Sequence, residues 1–395
     1  MIYITILIII ILLIIFLYKE RENFLSYKKC PEKKVTGLMK EILEKNNAKK
    51  DDSEWDLFIP CGYNKVENEL KTLTVFNNKQ KIFGIDGCDN IVSKNNLWTI
   101  LETEYGRERA SKIMPESFVL DNTNDMDLFA KKYDKSKIYI LKKNIQRKKG
   151  LELTRDYYKI INAKYEKYKV VQKFTESYLV NNRKFNLRYY VLIVCKKGHT
   201  YVYLHQYNKI LYTSKKVNEN SMDFASNITN SYEVPNNIYD THPYNLIELC
   251  KLVKNADVLN SKITNMFKLF SRAIVLPLGG VISIKDNERF QLFGIDVLVD
   301  HELNPYILEV NKGPDMKPKD ARDKKMKMKV LNDIFSKLEL IDSEDQHNMF
   351  DEIYNIYYLF IIYYLLFIIY YLLFIIYYYI LLFNSNVKSC YYHTN

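Results

Sequence analysis

The run Phe290-Gln-Leu-Phe-Gly-Ile-Asp296-Val-Leu-Val299, a short turn, and Tyr306-Ile-Leu-Glu309-Val-Asn311 decide the reading of this chain. Residues Arg289–Asp300 and Tyr306–Val310 form a predicted hairpin. Asp296 and Glu309 each sit inside an otherwise apolar run, where an ionised carboxylate is costly unless it is paired or bound to a metal. Glu309 and Asn311 are two apart, so on a strand both leave the same face. A hairpin centred on Glu302 and Leu303 sets Asp296 opposite Glu309. Opposed like charges repel, and a cation between them reverses the sign. Two carboxylates and a carboxamide are hard oxygen ligands suited to Mg²⁺, which keeps waters and substrate phosphates in its other positions. The competing reading is a structural carboxylate pair satisfied by Lys or Arg, and the residues favour the metal over it.

Two further constellations precede this one. In Arg183-Lys-Phe-Asn-Leu-Arg-Tyr189, Lys184, Asn186 and Arg188 share one strand face, while Phe185, Leu187 and Tyr189 share the other. Two cations around an amide suit phosphate contacts. A solvent-facing strand of an antiparallel sheet would look the same. Lys142 closes a strand beginning at Lys137, and a basic loop with Arg147, Lys148 and Lys149 follows it. Such a lysine can neutralise nucleotide phosphates, although a solvated charge run is the plainer reading of the loop. No GxxxxGK[ST] or GxGxxG motif is present, which disfavours P-loop and Rossmann readings.

Outward from these motifs, strands and helices alternate, as in layered α/β or α+β domains. Asn96 is the expected cap of a helix burying Leu97, Trp98, Ile100, Leu101 and Tyr105 and ending near Ile113. Residues Tyr157–Tyr168 and most of Leu246–Leu276 read as helical, and Val170–Phe174 as a strand. Arg183–Cys195 pairs with Thr200–His205 across a Lys197-Gly198 turn. A lysine-rich helix runs from about Ala321 to Leu338. With Lys317 and Lys319 before it and Arg322, Lys324, Lys325, Lys327 and Lys329 along it, it reads as a cationic surface beside Asn311.

The 395 residues carry 48% hydrophobic content and a formal charge of +11, enough for a sizeable core and a bias towards acidic partners. Six scattered cysteines without a CxxC pair argue against a zinc ribbon or a disulfide scaffold and fit a reducing compartment. The six histidines have no metal-ligand spacing.

Both ends are apolar. Ile2–Tyr18 carries no charge and would span about 25 Å as a helix, slightly short of the roughly 30 Å hydrocarbon core. It lacks a basic n-region and a cleavage site, so residues 1–18 read as an uncleaved anchor. Lys19, Arg21, Lys28 and Lys29 follow, which puts the rest of the chain on the cytoplasmic side. Residues 19–52 read as a charged tether. Residues 353–383 are a hydrophobic low-complexity repeat of Ile-Tyr-Tyr-Leu-Leu-Phe-Ile type. It is either a second membrane span or a tail without a selected role, and the sequence leaves both open.

The order Tyr139-Ile-Leu-Lys142, the basic loop, Val171-Gln172-Lys173, Arg183 to Arg188, Asn227-Ile-Thr-Asn230, Phe293-Gly-Ile-Asp296 and Leu308-Glu309-Val-Asn311 resembles the tubulin–tyrosine ligase and ligase-like proteins, over about Trp55–Leu338. The resemblance implies an ATP-grasp fold, with an N-terminal α/β domain at 53–125, a central lobe at 126–182 and a C-terminal lobe at 183–340. It implies that Lys142 and Lys184 contact phosphates, that Gln172 and Lys173 lie at the adenine edge, and that Asn186 touches the nucleotide. Asn230 would line the γ-phosphate side. Arg188 would face the transferred phosphate or the acceptor carboxylate. Asp296, Glu309 and Asn311 would hold Mg²⁺.

The reaction implied is ATP-dependent addition of an amino acid (tyrosine, glutamate or glycine) to an acidic protein such as a tubulin C-terminal tail, through an acylphosphate. No nucleic acid is expected. Asn186 stands where the family usually has Asp. Tyr212 stands in the strand where an Arg is usual, and the phosphate loop holds one glycine. A lapsed enzyme that serves as a nucleotide- or tubulin-binding module is therefore the alternative.

Overall fold

In the computed structural model, residues 25–62, 66–145, 150–217, 222–229, 234–235, 237–279, 287–342, 347–357 and 366–380 are described. Two sheets organise them. The larger has ten strands, with the order Phe350–Tyr357, His199–Tyr212, Arg183–Lys196, Glu288–Val299, Lys81–Phe83, Leu57–Ile59, Ser26–Lys29 and Lys49–Lys50. Pro305–Asn311 also pairs with Glu288–Val299, and Leu179–Val180 with Arg183–Lys196. The smaller sheet runs Ser117–Val119, Val170–Lys173, Tyr139–Lys142, Leu151–Thr154.

Both expected hairpins form. Arg183–Lys196 and His199–Tyr212 join through Lys197 and Gly198, whose φ values of 49° and 76° are left-handed at both central turn residues. That is the two-residue turn whose twist matches its strands. In the second hairpin, Asp296 pairs with Glu309, as the sequence predicts.

Alternation along Arg183–Lys196 then explains the layers. Phe185, Leu187, Tyr189, Val191 and Ile193 point into a core shared with Phe267, Phe270 and Ile274 of the long helix Ala256–Gly279. Tyr190, Leu192 and Val194 point the other way, into a core with Val330, Leu331 and Ile334 of the helix Ala321–Lys337. The second face turns polar at Lys184, Asn186 and Arg188, so the strand alternation itself delivers these three to one side. The smaller sheet has its own core, built on Phe118, Phe129, Leu141, Ile160 and Val171.

Several expectations are corrected. Residues 25–52 are not a tether. Ser26–Lys29 is a strand of the large sheet, and the helix Gly37–Lys45 buries Leu38, Ile42 and Leu43 in the same core as Val330 and Ile334. Leu38, Met39, Ile42 and Leu43 recur at helical spacing, a signal diluted by the charges around them. Strands at 57–59 and 81–83 join the large sheet, whereas Ser117–Val119 pairs with Val170–Lys173, so the smaller sheet reaches back before residue 126. The long N-terminal helix is Lys94–Ala110, with Ser93 rather than Asn96 at its cap.

The scattered cysteines include a bonded pair, Cys30–Cys61, with Cα atoms 5.2 Å apart, within the usual bridging range. Residues 353–357, the start of the C-terminal repeat, belong to an edge strand, Phe350–Tyr357, paired with His199–Tyr212. Residues 366–380 form a helix with its side chains exposed. No helix among the described residues is long and apolar enough to cross a membrane. The Ile2–Tyr18 anchor expected from sequence lies outside the described residues.

Candidate active site

Strand Glu288–Val299 is the axis of the site. Asp296 faces Arg188 on one neighbour and Glu309 on the other. The Arg188 guanidinium grips the Asp296 carboxylate with two bonds, from Nε to Oδ1 and from Nη2 to Oδ2, the latter at 2.9 Å. Asn311 Nδ2 donates to Glu309 Oε1 at 3.1 Å. The fork and the carboxylate pair therefore coexist, and Arg188 is a partner of the proposed metal ligand as well as a cation of the cleft.

Gly294 makes this geometry possible. A Cβ there would stand 2.8 Å from the Pro314 ring and 3.3 Å from Arg188 Cδ. Only glycine lets both approach the strand.

A cleft of about 1540 Å³ opens between the sheets. Every described candidate residue lines it: Lys142, Gln172, Lys173, Lys184, Asn186, Arg188, Asp296, Glu309 and Asn311. Asn230 lies outside the described residues. Apolar walls come from Ile140, Phe174, Leu298 and Leu308. Lys173 is exposed at the rim, whereas Gln172 is fully buried. The Gln172 amide donates to Ser117 Oγ at 2.8 Å and to the Pro115 carbonyl at 3.2 Å. Its Oε1 is buried with no partner among the described residues. Lys184 Nζ donates to Glu176 Oε2 at 2.9 Å and Asn227 Oδ1 at 3.0 Å, and lies 4.3 Å from the Phe174 ring centroid. Asn186 Nδ2 donates to Thr229 Oγ1 at 2.9 Å. Tyr212 turns away from the cleft and donates to the Pro243 carbonyl from inside the core; its neighbour Leu211 lines the cleft instead.

Electrostatics mark the inner end. Burial, aided by the nearby Lys94 charge, pushes the Lys142 amine down to about 7. Its Nζ donates a long hydrogen bond, 3.4 Å, to the Leu308 carbonyl. Burial and the Glu309 charge raise Asp296 against the pull of Arg188. Burial would raise Glu309 too, but Lys94, the Asn311 amide, Arg188 and Lys142 hold it below the ordinary range. The site thus joins hard oxygen donors suited to a divalent cation with buried cations suited to phosphate.

Sequence reasoning missed Lys94. This buried lysine opens the helix Lys94–Ala110, and Nζ donates to the Ile145 carbonyl at 3.3 Å. It stands far from the motifs in sequence, and nothing local distinguishes it from a surface lysine. The N-terminal lip of the cleft, with Glu32, Lys33 and Thr36, was missed with the helix that follows it.

The cationic helix is corrected in the other direction. Lys327 is buried and donates to the Lys317 carbonyl at 2.8 Å, with Asp323 at 3.0 Å. Lys324 pairs with Glu41, Lys329 with Asp333 and Arg322 with Glu248. Of the expected cationic residues, Lys317 and Lys319 line the cleft.

A mixed α/β chain thus gathers this carboxylate–carboxamide set and these cations on one cleft. The Tubulin-tyrosine ligase family profile matches residues 75–347, and the chain belongs to that family. It is similar to the probable tubulin polyglutamylase ttll-9 of Caenorhabditis elegans, 27% identical over 194 residues, which cover 46% of each chain. The probable tubulin polyglutamylase TTLL9 of Mus musculus is 30% identical over 191 residues, covering 44% of this chain and 39% of the mouse protein. The mouse probable tubulin polyglutamylase TTLL2 is 29% identical over 186 residues, 43% of this chain and 33% of that protein. The chain thus spans less than half the length of the relatives it matches.

Proposed function

We propose that the chain is an ATP- and Mg²⁺-dependent ligase of ATP-grasp type that joins an amino acid to a side-chain or terminal carboxylate of an acidic protein. Glutamate and tubulin are the substrates to try first, because the similar proteins named above are called tubulin polyglutamylases. The observation that carries the reading is one cleft lined by Asp296, Glu309 and Asn311 together with the buried Lys142 and Lys184 and the half-buried Arg188.

In this reading Asp296, Glu309 and Asn311 hold the cation, which when bound offsets the charge of the nucleotide phosphates. Lys142, buried with its pKa near 7, recovers its charge beside an anion. Gln172 offers its orphaned Oε1 to a donor such as an adenine amine, between apolar walls at Ile140 and Leu308. A carboxylate is a poor electrophile, so the acceptor is first phosphorylated and the amine then displaces phosphate. Arg188 and Lys184 stabilise the charge that develops in both steps. Lys317 and Lys319 at the cleft edge attract the acidic acceptor.

We also propose that the apolar run Ile2–Tyr18 holds the protein on a membrane with the cleft facing the cytoplasm. The test of function is incorporation of radiolabelled amino acids into tubulin by the full chain with Mg-ATP. Incorporation that stops without ATP supports the reading. Tight nucleotide binding without any incorporation turns it to the binding-module alternative.

A further inference from the structure

The ligase chemistry leaves one pair of reactive side chains unused. Cys30 follows the strand Ser26–Lys29 and Cys61 lies just beyond the strand Leu57–Ile59. These strands pair in parallel, so their ends arrive side by side and the two sulfurs are bonded across 31 residues of sequence. Lys29 Nζ lies 3.5 Å from Cys30 Sγ and donates to the Pro60 carbonyl. Both Glu69 carboxylate oxygens accept from the Cys61 backbone N–H, at 2.9 and 3.1 Å. Cys30 is buried, whereas Cys61 is half-buried and lines the cleft. The loop leaving Cys30 lines it too, through Glu32, Lys33 and Thr36. The bridge therefore ties down the root of the cleft lip.

We propose that Cys30–Cys61 is a reversible thiol–disulfide modification site, exchanging with small thiols and disulfides of the glutathione type, and that its state sets the order of the lip at residues 31–39. This goes beyond the ligase reading and does not depend on it. A small thiolate attacks Cys61 Sγ, the accessible sulfur. The protein S–S bond breaks, a mixed disulfide forms at Cys61, and Cys30 Sγ leaves as a thiolate beside the Lys29 ammonium group. A second small thiolate attacks the small-molecule sulfur of the mixed disulfide and releases Cys61. Two small thiols are thereby oxidised to one small disulfide, the protein gains two electrons, and the two protons end on Cys30 and Cys61. The reverse direction consumes the small disulfide. Lys29 stabilises the leaving thiolate, which speeds exchange.

The experiment equilibrates the full chain at graded ratios of reduced to oxidised glutathione, quenches in acid, alkylates, and reads each cysteine by peptide mass. Hydrogen exchange of 31–39 is followed in parallel. Cys30 and Cys61 should titrate together as one two-electron couple, while Cys88 and Cys195 stay alkylatable throughout. Reduction should speed exchange in 31–39 about tenfold, and Lys29→Met should slow reduction by glutathione about tenfold. The double variant Cys30→Ser, Cys61→Ser should exchange like the reduced protein. The proposal is overturned if both thiols are alkylated at every ratio, or if reduction leaves exchange in 31–39 unchanged. It is equally overturned if the reduced protein retains one zinc ion through Cys30, Cys61 and Glu69, because that would make the cluster a metal site.

Discussion

Arg188 and Asp296 change what substitution at the carboxylate pair should do. Read from sequence alone, removing either carboxylate relieves a repulsion. In the structure Asp296 is also the anchor of a half-buried arginine. Glu309→Gln removes the anion that Lys94, the Asn311 amide, Arg188 and Lys142 favour and should lower stability by about 1 kcal/mol, whereas Asp296→Asn leaves Arg188 without its counter-charge and should lower it by ~3 kcal/mol. Denaturant melts of the two variants separate these outcomes, and equal effects would count against the Arg188 fork. Both should lose about 100-fold or more in ATP-dependent turnover. Gly294→Ala should cost activity as well, since its new methyl group would press on Pro314 and Arg188. At the acceptor edge, the double reversal Lys317→Glu, Lys319→Glu should raise the acceptor KM about tenfold at low salt and leave the KM for ATP nearly unchanged. The difference should shrink as salt rises, because screening acts over about 8 Å at physiological ionic strength.

At the scale of elements, the legible parts were those whose signal is local. Lys197-Gly198 announced the first hairpin, and the spacing of Asp296, Glu302 and Glu309 announced the register of the second. The cleft residues followed because Lys184, Asn186 and Arg188 obey a two-residue period that the fold preserves. What stayed hidden depends on partners distant in sequence. Arg188 and Asp296 are 108 positions apart, and Lys94 meets the site only through tertiary packing. Lys327 looked like a solvent-facing charge because its partner Asp323 also looked solvated. Both are buried, with Lys209 Nζ donating to Asp323 at 2.9 Å and the Tyr244 hydroxyl at 3.2 Å. Lys327→Glu should therefore destabilise the fold by ~3 kcal/mol or more rather than merely weaken acceptor binding. Ile42→Ala, which empties a fully buried position in the helix Gly37–Lys45, should cost about 2–4 kcal/mol. A true tether would tolerate that change without cost, so a thermal melt decides between the two readings of this segment.

The whole molecule should respond to acid in two stages. His205 is buried, with Nδ1 accepting from the Tyr207 N–H at 2.9 Å, which requires that nitrogen unprotonated, and with Nε2 3.0 Å from Asp333, whose charge favours the protonated ring. Burial, the largest cause, lowers its pKa below the usual value of 6.5. The unfolded chain then binds the proton first, and stability falls as pH drops below about 6.5. Burial would raise Asp323 and Asp333, but lysine and histidine hydrogen bonds hold both below 3.8. Their contribution is present above that value and is lost below it, adding a second decline. A melt series from pH 7 to pH 3 checks both. At the ends of the chain, removing Met1–Tyr18 should release the protein from membranes unless the repeat, helical and exposed at 366–380, holds it there. The central claim is that the shared cleft is a Mg-ATP site that drives amide formation on an acidic protein. Its most direct test is to incubate the full wild-type chain and Glu309→Gln with tubulin, labelled glutamate, ATP and Mg²⁺, and to count label fixed in tubulin. The account predicts incorporation by wild type that requires both ATP and Mg²⁺ and falls at least about 100-fold in Glu309→Gln. Equal incorporation by the two folded proteins would contradict it.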